Sequence, residues 1–177
     1  LQDLPMADVV TLQHRTEGWV AGLQLASLSL EQRDGRAAFI QNFSGSHRDV
    51  AEFLTQDVLA RQSPEMREFL LQTSILGRIS APLADAVMER SDSAAMLQMI
   101  EAANLFLIPL DRERHWFRYH HLFGEFLQSR LAEKGERHIA ALHGRAAAWL
   151  STHNLTSEAV SHALAAGDAD RAASLVE

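Results

Sequence analysis

A mainly α-helical chain follows from three observations. Its 177 residues are rich in Ala and Leu, which are strong helix formers. Apolar residues recur at helical spacing along most of the sequence. One stretch near residue 110 breaks that period with two short apolar or aromatic runs. The length suits one ordinary domain or two small ones, and a hydrophobic content of 47% is enough for a sizeable core.

The elements can be taken in order. Residues 5–16 open with Pro5 near a first turn, a tolerated position, and place Val9, Leu12 and Thr16 on one side. Gly18 suits the left-handed position that ends helices. A second helix is predicted from Trp19 to Leu30, with Leu23, Ala26 and Leu30 on the face of Trp19 and Gly22 beside them. Small residues there let a backbone or a ligand come close. Asp34-Gly35 and Ser44-Gly45-Ser46 mark a connection with a short helix at 36–42, and this is the best domain boundary.

Four compact helical patterns follow. Asp49 is expected to cap a helix through Arg61, with Val50, Phe53, Leu54 and Val58 inward. Ser63-Pro64-Glu65-Met66 reads as a helix start, Ser as the cap and Pro at the first turn. Ser80 and Pro82 repeat that logic up to Arg90. Ser91 or Asp92 opens a fourth helix with Met96, Leu97 and Ile100 as its core stripe.

The period then changes. Leu105 to Leu110 is apolar, Asp111 to Arg114 is polar, and His115 to His120 is rich in aromatics. Two such runs around a short polar link predict a β-hairpin. Pro109 has no amide to give to a ladder, so its strand is an edge or ends there. A helix from His121 to about Lys134 follows and Gly135 ends it. Beyond it, Ile139 to Leu150, Ala159 to Leu164 and a stretch from Ala169 read as alanine-rich helices joined by turns at Asn154-Leu155-Thr156 and Gly167-Asp168. This is the pattern of a helix-pair, TPR-like repeat. The predicted organisation is a helical segment (1–45), a winged-helix-like domain with one β-hairpin (46–135) and a first helix pair of a repeat (136–177).

Composition excludes several functions. Cysteine is absent, so there is no disulfide framework and no thiol nucleophile. Lys134 is the single lysine, and no glycine-rich phosphate loop precedes it. The net charge is −7 and none of the three segments is basic, which argues against a DNA-binding surface, since non-specific affinity for nucleic acid comes mostly from phosphate neutralisation by Lys and Arg. The helix before the hairpin offers Ser93, Gln98 and Glu101 and no basic residue, where a major-groove reader would want Arg, Asn or Lys facing out. Nine histidines invite a metal reading, but the spaced pairs His121/Glu125 and Glu158/His162 are too few ligands for zinc. No nucleophile elbow occurs, and no apolar run is long enough to span a membrane. Trp19 and Trp149 fall on apolar helix stripes and are expected in the core. The chain is not expected to be an enzyme or to bind a cofactor by itself. Starting at Leu1 and stopping in an apolar-periodic stretch, it reads as an internal piece of a longer protein.

Specific strings carry a resemblance. Thr16-Glu17-Gly18-Trp19-Val20-Ala21-Gly22-Leu23-Gln24-Leu25-Ala26 resembles the helical segment after the ATPase core of MalT-like, large ATP-binding LuxR-type regulators. Asn104 to Asp111 resembles their wing. Arg118-Tyr119-His120-His121-Leu122-Phe123 resembles the end of their winged-helix module, and Ser157 to Asp168 the start of their sensor repeat. The resemblance implies a signal-transduction ATPase of the STAND type, cytoplasmic, with an upstream phosphate-loop domain, a downstream helical-repeat sensor and a separate C-terminal DNA-binding domain. ATP or ADP would belong to that parent protein. The resemblance also implies that His120, in the pattern apolar-His-x-Leu, contacts the β-phosphate of bound ADP. The bare alternative is that His120 only packs the hairpin onto the next helix. Related switches carry Gly-Leu-Pro where this chain has Gly22-Leu23-Gln24, which leaves Gly22 as a lesser candidate on the nucleotide side. A helical protein-interaction module with no nucleotide role is the other function the sequence allows.

Overall fold

The computed structural model describes residues 5–31 and 36–176; the expected Asp34-Gly35 turn lies outside the described residues. The chain divides into two compact units. The first holds the chain up to Gln62 together with His120–Phe126, and the second holds Ser63–Tyr119 and the chain from Leu127 on. The predicted seam near residue 45 falls inside the first unit.

In the first unit, α1 spans Met6–Thr16, α2 Val20–Glu31, α3 Arg36–Gln41 and α4 Arg48–Phe53. α1 buries Leu12 and Thr16, while Val9 of the same expected stripe stays 39% exposed. The helix ends on two successive left-handed residues, Glu17 (φ 45°) and Gly18 (φ 81°). The turn reverses the chain, and the Trp19 amide donates to the Thr16 carbonyl at 2.7 Å. Ala26 and Leu30 of α2 are buried with Phe39, Ile40 and Phe43, and the Phe39 and Phe43 ring centroids lie 5.7 Å apart.

Asp49 does not cap α4. His47 holds the cap position and Asp49 sits in the first turn, where a carboxylate favours the positive end of the helix dipole. The single helix expected through Arg61 is also modified. α4 passes into a wider π turn at Leu54–Val58 and a tighter 3₁₀ turn at Leu59–Arg61, while Val50, Leu54 and Val58 still face the core. Gln62 is then extended, as the approach to Ser63-Pro64 favours.

In the second unit, α5 (Pro64–Thr73) and α6 (Ala81–Met88) start as the sequence predicts. The hydroxyls of Ser63 and Ser80 accept from the amides of Met66 (3.1 Å) and Leu83 (3.4 Å). Such a cap contributes about 1 kcal/mol. α7 (Ser93–Ala102) has Asp92 at its cap position, but it is Asp85 that accepts the Ser93 amide, at 3.0 Å, because the Asp92 carboxylate is engaged by Arg90. Met96, Leu97 and Ile100 are buried, as are Met66, Phe69 and Leu70 on α5. Burying one such side chain is worth about 1.5–3 kcal/mol.

The hairpin pairs β1 (Leu107–Pro109) with β2 (Phe117–Tyr119), antiparallel, with Ile108 opposite Arg118. Pro109 closes its strand as expected. The sequence reading missed a third β contact. Ile79 forms an isolated bridge with Phe117, exchanging both backbone hydrogen bonds at 2.7 and 2.8 Å. One residue has no period, so no pattern announces it.

α8 (His121–Ala132) gives its first turns to the first unit and its remainder to the second. α9 (Glu136–Thr152), α10 (Thr156–Ala165) and α11 (Ala169–Ser174) follow. Ala147, Ala163 and Ala172 form a small-residue cluster with Val160 against it. The Arg78 guanidinium grips the Glu158 carboxylate with two bonds of 2.8 Å and covers the Trp116 ring at 4.3 Å. Lys134, the only lysine, pairs with Glu68 of α5.

Candidate functional site around His120

β2 delivers His120. Tyr119 is buried, with its hydroxyl 2.8 Å from the Thr73 hydroxyl, and burial pushes the phenol's pKa well above its ordinary value. Next along the chain, the His120 carbonyl accepts the Gly124 amide at 2.9 Å and so opens α8. Leu122 and Phe123 then bury themselves, which fixes the helix start. The His120 backbone is thus tied into the first turn of α8.

His120 is 6% exposed. Nε2 lies 2.7 Å from the Thr16 carbonyl. A carbonyl can only accept, so Nε2 carries the proton and donates. The Thr16 carbonyl belongs to the last turn of α1, the negative end of that helix, where an N–H donor is favoured. The Glu17 carboxylate lies 3.6 Å from His120 Nε2 and 3.5 Å from His121 Nδ1. The two imidazoles stack at 5.0 Å and 15°. Trp19 meets His120 edge-on at 6.1 Å and leans on Phe53 at 5.8 Å.

The two sequence candidates have different surroundings. His120 sits in a cluster of polar groups on the turn after α1. Gly22 is buried beneath a tryptophan: a Cβ there would come within 2.3 Å of the Trp19 ring. The close approach that Gly22 permits is taken by Trp19. Trp19 itself is half-buried rather than core, and so is Trp149, which stacks on His153 at 3.7 Å because that end of α9 borders a cleft instead of the interior.

The spaced histidine pairs do not act as pairs. Glu125 accepts the Gly45 amide at 2.9 Å. Glu158 holds Arg78, and His162 meets His143 with Nδ1 atoms 2.8 Å apart. Sequence reasoning missed Glu17. Its only signal was its place between a helix end and Gly18, where a left-handed turn can bring a side chain back over the helix terminus. It also missed a cleft of about 660 Å³ in the second unit, walled by Pro82, Leu97, Glu101, Trp116 and Trp149. That cleft joins residues from α6, α7, the hairpin and α9, which no local pattern connects.

Among the described residues no helix is long and apolar enough to cross a membrane. Residues 55–143, half of the chain, match the model of the MalT winged helix domain. The serine/threonine-protein kinase PknK of Mycobacterium tuberculosis is 42% identical over 98% of this chain and 16% of its own length. The HTH-type transcriptional regulator MalT of Klebsiella pneumoniae is 35% identical over 86% of the chain and 17% of its own length. MalT of Vibrio campbellii is 32% identical over 90% and 18%. The chain therefore spans less than a fifth of the curated relatives it matches. With its helices, its hairpin and these matches together, the chain belongs to the MalT winged helix domain family.

Proposed function

We propose that this region is the regulatory linker of a larger ATP-dependent, LuxR-type transcriptional activator, coupling the nucleotide state of an upstream phosphate-loop ATPase domain to an inducer-sensing helical repeat downstream. The observation that carries this reading is the seat of His120. It is a buried N–H donor at the start of a helix, bonded to a carbonyl oxygen that a phosphate oxygen could replace at Nε2. Helix starts and imidazole donors both suit anionic oxygens. In the resting parent protein, a phosphate oxygen of ADP would accept a hydrogen bond from His120 Nε2 and so hold the winged helix against the ATPase domain. ATP exchange and inducer would release it. A ligand shifts such an equilibrium only through its different affinity for the two states. DNA contact is assigned to a separate C-terminal domain, and the cytoplasm to the whole protein.

The experiment is His120→Ala in the full-length protein, reading ADP retention and basal transcription. Faster ADP loss together with raised basal activity is the expected result; no change in either refutes the contact. A second reading, a helical interaction module without a nucleotide role, is favoured by the Thr16 bond itself, which already satisfies Nε2. The relatives add weight to a portable module, since one is named as a kinase and others as transcriptional regulators. The two readings part on the residues upstream of Leu1: the nucleotide reading requires a glycine-rich loop ending in Lys-Ser or Lys-Thr.

A further inference from the structure

Three donor groups converge where the end of α1 meets the start of α8. Glu17, His120 and His121 each offer one ligand atom, and these atoms lie within 4.8 Å of one another. Two edges of that triangle are 3.6 Å and 3.5 Å, from the Glu17 carboxylate to His120 Nε2 and to His121 Nδ1. A tetrahedral ion with bonds of about 2.0–2.1 Å spaces its ligands roughly 3.3–3.4 Å apart. The remaining edge, between the two imidazole nitrogens, lies within 4.8 Å, and rotation of the His121 side chain would close it.

The donor set selects the ion. Two imidazoles and one carboxylate suit zinc and its first-row neighbours, whereas magnesium and calcium want oxygen ligands throughout. The edge of Trp19 orients the His120 ring, and the His121 ring, stacked on it at 15°, turns out of the stack to bring its lone pair to the same ion. Glu17 holds a left-handed backbone at φ 45°, a conformation uncommon for a residue with a side chain, and its carboxylate reaches both histidines from there. We propose that Glu17, His120 and His121 form a binding site for one divalent transition-metal ion of the zinc type, with the fourth position open to water or an anionic oxygen.

His120 must change tautomer to take part. Its ring proton moves from Nε2 to Nδ1, the Nε2 lone pair goes to the metal, and the bond to Thr16 is given up. The Thr16 carbonyl keeps the Trp19 amide, at 2.7 Å, so that acceptor is not stranded, while the proton placed on Nδ1 lies buried and its desolvation is a cost the metal bonds must exceed. The metal and the nucleotide reading compete for His120 Nε2, and the test of the ion is separate because it is measured on this chain with no nucleotide present.

The 177-residue chain is titrated with Zn²⁺ by calorimetry and with Co²⁺ by visible absorption at neutral pH. One equivalent bound at roughly micromolar Kd or tighter, with the intense bands of tetrahedral cobalt, is the expected result. Glu17→Gly removes a ligand while relaxing the left-handed backbone, and Glu17→Gln removes its charge with the backbone left as it is. Each of them, and His121→Ala, should weaken binding by about 10-fold or more. His162→Ala, which breaks the separate His143/His162 contact, should leave it unchanged. Zn²⁺ should raise the melting temperature of the parent chain more than that of the three site variants. Binding weaker than roughly 1 mM, or tight binding that persists in Glu17→Gly and His121→Ala as adventitious capture by the other histidines, would overturn the assignment.

Discussion

Individual residues show how little slack the first unit holds. A Cβ added to Gly45 would lie 1.7 Å from the Leu122 carbonyl oxygen and 2.8 Å from the Phe126 amide nitrogen. Both are helix backbone, which cannot rotate aside as a side chain can. The Gly45 amide also donates to Glu125, at 2.9 Å, so the turn cannot drift outward without losing that bond. Gly45→Ala should therefore destabilise the chain by about 2–3 kcal/mol, at the upper end of overpacking costs, read as a lower midpoint in urea with an unchanged slope. A wild-type midpoint would mean that the turn at Ser44-Gly45-Ser46 does not lie against α8. The dipeptide signal marked this glycine as a turn residue. Its proximity to a helix 77 positions away in sequence is a tertiary fact, and nothing local records it.

At the scale of elements, the α9/α10 pair carries a pH dependence. Burial and the neighbouring His143 lower the His162 pKa from 6.5 to about 4, with Glu158 opposing weakly. Burial lowers His143 as well. The folded chain thus keeps these imidazoles neutral where the unfolded chain would protonate them. Their contribution is complete above pH 6.5 and is lost as the pH falls from 6.5 toward 4. The melting temperature should fall across that window. His162→Gln should flatten the slope, and an equally steep profile in the variant would show that carboxylates alone set it. The elements themselves were largely legible in the sequence. Ser63-Pro64 and Ser80-Pro82 fixed two helix starts because a cap hydroxyl and a proline act within one turn. Asp49 failed as a cap, and the helix after it changed pitch, because packing of Val50, Leu54 and Val58 decided both. The hairpin was visible as a change of period, while the Ile79 bridge was not. Of the cluster around His120, the sequence singled out His120 through the family pattern apolar-His-x-Leu; it did not single out Glu17, because that position depends on two residues in the left-handed conformation that carry no compositional signature beyond one glycine.

Taken whole, the proposed nucleotide role gives this chain one contact, His120, and one contact is too weak to hold a nucleotide by itself. One charge-assisted hydrogen bond contributes about 1.5–3 kcal/mol, and a 1 mM dissociation constant already requires about 4.1 kcal/mol. ADP should bind the 177-residue chain more weakly than roughly 1 mM; a micromolar constant by calorimetry would contradict the assignment of His120 as one contact in a site completed from upstream. The scarcity of lysine has a further use at this scale. Lys134 is the only side-chain amine, and it is engaged with Glu68, whose carboxyl is raised by burial but held below its ordinary pKa by the hydrogen bonds from Lys134 and Gln72. An amine-directed acyl reagent therefore has one internal target, and its rate of attack there reports how often the tie between α5 and the end of α8 opens. The molecule comes with its own single-site clock for the breathing of its second unit.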